Sequence, residues 1–249
     1  MKLLSVVFLF FFTFVMLKAQ PKNDLVGLYE GSNNYMYNRF EFLGNGKVKV
    51  NKDLKGEYYH ENDSLFVFVD LELSIYHLEK DEIVGRSVWE NEQRLKLQKK
   101  SLKNKKYEQG DEQRAIWMKR FNANFSKINL AHSLDRGDLP VFFQKIQNEN
   151  ESLCTEGFDL ACIHSFSFTT LQMIQDDSDD QTKNSYYVKL KEIAERVIEL
   201  NNPDGYGLLY SFYVLKDKQQ EGEEFLEKGM SLGSDLCMKI SLDKMKSEL

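Results

Sequence analysis

The chain reads as an α+β protein. An N-terminal antiparallel β meander, closing into a small barrel or half-barrel, is followed by a C-terminal all-α helical-repeat solenoid. Three observations predict this. Apolar residues alternate with polar ones at period two from Asp24 to Gln98. After Asp111 the apolar period becomes 3.6. The helical segments are then broken by Gly137, Gly157, Asn201-Asn202-Pro203 and Gly233. Period two places successive side chains on opposite faces of a strand, whereas period 3.6 keeps them on one side of a helix.

The first segment stands outside the fold. Lys2 supplies a positive charge, Leu3 to Leu17 is an apolar or small run, and Lys18-Ala19-Gln20 ends it. That layout predicts a secretory signal over 1–19, cleaved after Ala19. The run of about 15 residues is short for a bilayer span of roughly 20. Leu17 at the −3 position departs from the small-residue rule, so an uncleaved anchor is the alternative. No cysteine follows the run, which argues against a lipoprotein anchor. Export places the three cysteines where disulfides persist, and an odd number leaves one thiol over.

The β region, 20–100, is expected to hold eight strands starting near 26, 38, 46, 55, 64, 73, 82 and 93. Phe40 and Phe42 alternate with Arg39 and Glu41, and Val48 and Val50 with Lys47 and Lys49. Leu65, Val67 and Val69 alternate with Phe66 and Phe68, which predicts a strand buried on both faces. Gly44-Asn45-Gly46, Asn51-Lys52-Asp53, Glu61-Asn62-Asp63, Lys80-Asp81 and Glu90-Asn91-Glu92 mark the turns. Short, even links favour up-and-down order, and closure removes exposed edges. With Gly27-Leu28-Tyr29 as opening strand, this stretch resembles small lipocalin-like domains of secreted bacterial proteins. A barrel this short is expected to be filled by its own side chains.

A basic linker, 101–111, joins the halves. Arg94, Lys96, Lys99, Lys100, Lys103, Lys105 and Lys106 carry no acid among them and are expected to be a solvated strand end and linker. Residues 21–110 are balanced at 15 basic and 15 acidic, but 111–249 hold 16 basic and 24 acidic. An acidic helical half argues against nucleic acid or anionic lipid as partner, since both need clustered Lys and Arg.

The helical domain is expected over 112–249. Ala115, Ile116, Met118 and Phe121 open a first helix; Ile128, Leu130, Ala131 and Leu134 follow, ending at Gly137. Pro140 suits a first helical turn. Gly157 is a helix stop, and Leu160, Ala161, Ile163 and Phe168 resume the pattern. Tyr187, Leu190, Ile193, Ala194, Val197 and Leu200 form an apolar stripe up to the Asn201-Asn202-Pro203 break. Leu208, Leu209 and Phe212, then Phe225, Leu226 and Met230, then Met238, Leu242, Met245 and Leu249 mark three more helices.

The segments Glu192 to Leu200 and Glu224 to Leu232 align at an offset of 32, and Asp159-Leu160-Ala161-Cys162 echoes Asp235-Leu236-Cys237. Residues 125–249 thus resemble the Sel-one-like repeats, tetratricopeptide relatives, in their secreted cysteine-containing form. Ala161, Gly157 and Gly233 match small residues of that motif, while Gly205, Gly222 and Gly229 depart from it where Ala is usual. The resemblance implies a disulfide between Cys154 and Cys162, spaced across one corner, with Cys237 free. It also implies a protein-interaction scaffold whose first helices line the binding face. On that face Tyr206, Tyr210, Tyr213 and His164 are the candidate partner surface; the alternative, which the i, i+4, i+7 spacing of the tyrosines equally allows, is that they pack between units.

No catalytic, cofactor or metal site is expected. His60, His77, His132 and His164 lack Cys or His partners at zinc spacing. A disulfide-bonded Cys162 could not serve beside His164 as a nucleophile. Asp176-Asp177-Ser178-Asp179-Asp180 lacks the glycine and late glutamate of a calcium loop. Gly-rich phosphate loops and Gly-x-Ser-x-Gly elbows are absent. The expectation is an exported, periplasmic or secreted, non-enzymatic protein that binds another envelope or secreted protein. A small-ligand binder centred on the barrel and a cell-wall-acting enzyme are the alternatives.

Overall fold

The computed structural model describes residues 21–32, 35–51, 54–69, 72–86, 93–99, 112–127, 137–176 and 180–247. The signal segment, the 101–111 linker, the Ile128 to Leu134 helix, His132 and the centre of the acidic 176–180 loop lie outside them. Two compact units are present, residues 1–119 and 120–249.

Eight antiparallel strands in sequence order form a closed barrel in the first unit. They are β1 Val26–Glu30, β2 Arg39–Leu43, β3 Lys47–Val50, β4 Leu54–Glu61, β5 Ser64–Val69, β6 Glu72–Leu78, β7 Glu82–Gly85 and β8 Arg94–Lys99. Each begins within one residue of its expected start. β8 returns to pair with β1, so neither is left as an open edge. The β2–β3 hairpin turns at Gly44-Asn45-Gly46, where both glycines hold positive φ.

Every strand contributes to one interior core. Tyr29, Phe40, Phe42, Tyr58 and Tyr76 provide its aromatic part, with Phe42 edge-on to Tyr58 at 4.9 Å between ring centroids. The Tyr58 hydroxyl lies 2.7 Å from the Asn23 carbonyl oxygen and 2.6 Å from that of Leu25. It thereby ties the segment before β1 to the barrel, and burial pushes its pKa up. That segment is held also by backbone bonds between Lys22 and His60 and by an Asp24–His60 side-chain pair at 2.8 Å. The His60 hydrogen bond holds the Asp24 carboxyl below its ordinary range.

β5 is covered on both faces. Leu65, Val67 and Val69 point into the core, whereas Phe68 is buried on the other face and Phe66 stacks on Tyr59 at 4.6 Å. The outer face of β4 carries Glu57, which receives two hydrogen bonds from Arg114 at 2.8 and 2.7 Å, and Glu61, which pairs with Lys119 at 2.6 Å. Both cations lie on α1, Glu112–Phe125. By these ties α1 as far as Lys119 belongs with the barrel, and the two compact units divide within this helix.

The second unit continues with α2 Leu139–Glu156, α3 Asp159–Gln175, α4 Asp180–Glu199, α5 Asp204–Leu215, α6 Gln219–Ser231 and α7 Asp235–Ser247. From α2 onward each helix packs on the next, and α5 also meets α3 and α7. The architecture is therefore α+β, a barrel followed by seven described helices. Pro140 sits in the first turn of α2, as its missing N–H allows.

Four corners share one backbone solution, one of them at Asp217, whose φ is 56° and which is followed by Lys218 donating to Tyr213. Gly157, Asn201 and Gly233 adopt left-handed φ of 108, 59 and 81°. Their N–H groups donate to the carbonyls of Cys154, Ile198 and Met230 respectively. The following N–H groups, of Phe158, Asn202 and Ser234, donate to Leu153, Val197 and Gly229. This double bond to the last carbonyls ends a helix sharply and satisfies its orphan acceptors. It favours glycine or asparagine because a β-carbon is strained at such φ.

Candidate functional site

Counting from the left-handed residue aligns the corners without reference to sequence similarity. Three residues before it stand Cys154, Ile198 and Met230; five after it stand Cys162, Tyr206 and Met238. At the first corner the two cysteines are bonded, with 4.7 Å between their Cα atoms. Cys162 is wholly buried.

Cys237 is free and buried, and burial raises its pKa. It does not stand in the place of Cys162. It lies four residues after Gly233 and so matches Ala161, while its facing position, Gly229, matches Leu153. The first corner has a large and a small residue at these two places, both buried, and the last has glycine and cysteine. A β-carbon built on Gly229 would collide with the Cys237 sulfur, and one on Gly207 would come within 3.2 Å of it. The sequence comparison that paired Cys237 with Cys162 was displaced by one residue, because Asp235 and Asp159 look alike but Met238 occupies the cystine position.

The tyrosines expected to face a partner pack between helices. Gly222, on α6, approaches Tyr210 and Tyr213, and Phe225 stacks on Tyr213 at 5.4 Å. Lys228 lies over the Tyr206 ring at 4.8 Å. Tyr210 is only 5 % exposed and shares a core with Leu226 and Cys237. Tyr206 and Tyr213 are half-buried. The i, i+4, i+7 spacing thus marks an inter-helix seam, and the ring of Tyr210 is withdrawn from solvent. Glycines at 222 and 229 are what let α6 approach so closely.

His164 on α3 is likewise enclosed. The rings of Phe121 and Phe125 meet it edge-on at 4.8 and 5.4 Å. Burial lowers its pKa to about 4, so it is neutral at neutral pH. Asn124 on α1 is buried and donates to the Ile146 carbonyl and Asn150 Oδ1. Arg120 bridges Glu149 and Glu156 at 2.9 and 2.7 Å.

What the pattern of types did not reveal is where apolar surface remains outside. Leu171 and Ile174 project from α3, and Met238, Leu242 and Met245 from α7. Spacing is the available signal, and it is the same for covered and uncovered stripes. Among the described residues, no three His, Cys, Asp or Glu side chains converge as a metal-binding group. No described helix is long and apolar enough to cross a membrane.

No protein-family model, curated protein or solved structure matches this chain.

Proposed function

We propose that the chain is an exported, non-enzymatic binding protein of the cell envelope, whose helical half is a tetratricopeptide-like, Sel-one-like row that holds another protein. One observation carries the reading. Of the ten large apolar side chains left exposed among the described residues, nine lie in the helical unit and one, Met36, beside the barrel. Exposed apolar clusters mark interaction sites, because a protein without a partner gains by burying them. The Cys154–Cys162 bond suits an oxidising compartment, in keeping with the signal-like first segment. The repeated corner geometry supports the helical-repeat resemblance. The barrel, whose core draws on all eight strands, favours a structural role over a ligand cup.

The test is capture from a native envelope fraction by the tagged full chain, with Leu171→Glu/Ile174→Glu in parallel. A specific partner recovered by the wild type and lost by the variant, at equal unfolding midpoint, is expected. Equal recovery by the variant together with loss on altering Met36 would transfer the site to the barrel. N-terminal sequencing of exported protein should begin at Gln20.

A further inference from the structure

The barrel takes hold of the chain directly behind the signal-like segment. Pro21 and Asn23 are buried. The Lys22 N–H donates to the His60 carbonyl at 2.7 Å, and the His60 N–H donates to the Lys22 carbonyl at 2.6 Å. The Asn23 carbonyl accepts from the Gly46 N–H and from the Tyr58 hydroxyl, each at 2.7 Å. A β-carbon on Gly46 would come within 2.9 Å of the Asn23 side chain. Residues 21–25 are thus a strap laid against the barrel. Gln20, itself outside the described residues, is the one residue between this strap and Ala19, where cleavage is expected.

We propose that Gln20 is a modification site: released as the mature terminus, it closes on itself as a pyroglutamyl residue. This rests on the export proposed above. The α-amine attacks Cδ of the same residue. The new C–N bond completes an unstrained lactam, the bond from Cδ to the side-chain nitrogen breaks, and ammonia leaves with the proton that the amine gives up. No oxidant, reductant or second substrate is consumed. Both reacting groups belong to one residue, so the closure has the advantage of an intramolecular reaction and needs no pocket in the fold. Glutamine has the length for this, whereas asparagine in its place would have to form a smaller, strained ring.

Two features fix the terminus at this residue. On one side Lys18-Ala19-Gln20 ends the apolar run. On the other, cleavage one residue later would have to cut a bond to proline, whose nitrogen carries no N–H, and would leave the terminal charge on a buried residue. The ring replaces an α-ammonium, charged at neutral pH, with a neutral amide. A terminus without an amine is also closed to exopeptidases that grip one. Trimming as far as Asn23 would take an acceptor from both the Gly46 N–H and the Tyr58 hydroxyl.

The experiment takes the full chain from the exported fraction directly into cold denaturant, treats it with an amine-tagging reagent and reads the terminal peptide by tandem mass spectrometry. The expected peptide begins at residue 20, is lighter by one ammonia than the open glutamine form, and is tagged on Lys22 but not at its terminus. Pyroglutamyl peptidase acting on the denatured chain should remove the ring and leave a taggable Pro21. Gln20→Ala keeps the cleavage site and should carry a free terminal amine. A chain that begins at Gln20 with a taggable amine overturns this site and leaves export standing. So does a terminus that is open at harvest and closes only on storage, or a block that persists in Gln20→Ala. A chain that still begins at Met1 overturns both the site and the export on which it rests.

Discussion

In the barrel, each strand has two neighbours and the last pairs with the first, so every apolar face meets another within the same sheet. From α2 onward each helix packs on the next, and α7 meets α5 and α6. Both units use the same apolar residue types and similar corner chemistry. The difference lies in closure. A closed sheet completes its own core, whereas each helix of a row depends on the neighbours packed against it. Nine of ten exposed large apolar side chains among the described residues fall on the helical unit.

That contrast can be broken most severely from inside the barrel. Phe42→Ala empties the centre of the aromatic cluster and should cost about 3–5 kcal/mol, read as a lower denaturant midpoint with loss of near-ultraviolet signal. An equal loss from Leu242→Ala on α7 would mean that the two units do not differ as described.

His164 sharpens the comparison by pH. Its folded pKa of about 4 lies below the unfolded value of about 6.5, so the neutral form is the one the fold accepts. Its contribution is complete above about pH 6.5 and is lost as pH falls toward 4, on the order of 2–3 kcal/mol. His164→Leu should flatten the stability profile across that window. A profile unchanged by the substitution would place the charge-sensitive group elsewhere.

Reducing Cys154–Cys162 should cost about 2.5 kcal/mol, since the bond closes a short loop at a corner. The effect should appear in helical ellipticity and not in the barrel's aromatic signal. Equal destabilisation of both signals would show that the corner is coupled to the barrel.

Gly229→Ala should destabilise by roughly 1–3 kcal/mol through overpacking, although alanine is the better helix former. Cys237→Ala should restore most of the loss, because the obstructing sulfur is then gone. Leu171→Ser, by contrast, should shift the midpoint by no more than about 0.5 kcal/mol. A large loss there would mean that the α3 surface is core.

Strand starts, the hairpins and the helix corners were legible in the sequence because each is decided by a few adjacent residues. Gly157, Asn201 and Gly233 can hold left-handed φ, and alternation cannot be mistaken over eight short runs. The Cys154–Cys162 pairing was legible through spacing across such a corner. The candidate surface was read less well. Of the tyrosines expected to face a partner, Tyr210 is buried and Tyr206 and Tyr213 are half-buried at the seam with α6, and Cys237 stands one residue nearer its left-handed residue than Cys162 does.

Sequence by itself determined the change of period, the stops, and which side chains share a stripe, since these depend on backbone geometry within one element. Only tertiary structure decided which stripes are covered. Tyr206-Tyr210-Tyr213 and Met238-Leu242-Met245 have the same spacing and the same distance from a left-handed residue. One packs against α6, with Tyr210 buried, and the other is exposed, because burial is a property of the neighbouring helix and not of the helix that carries the side chains.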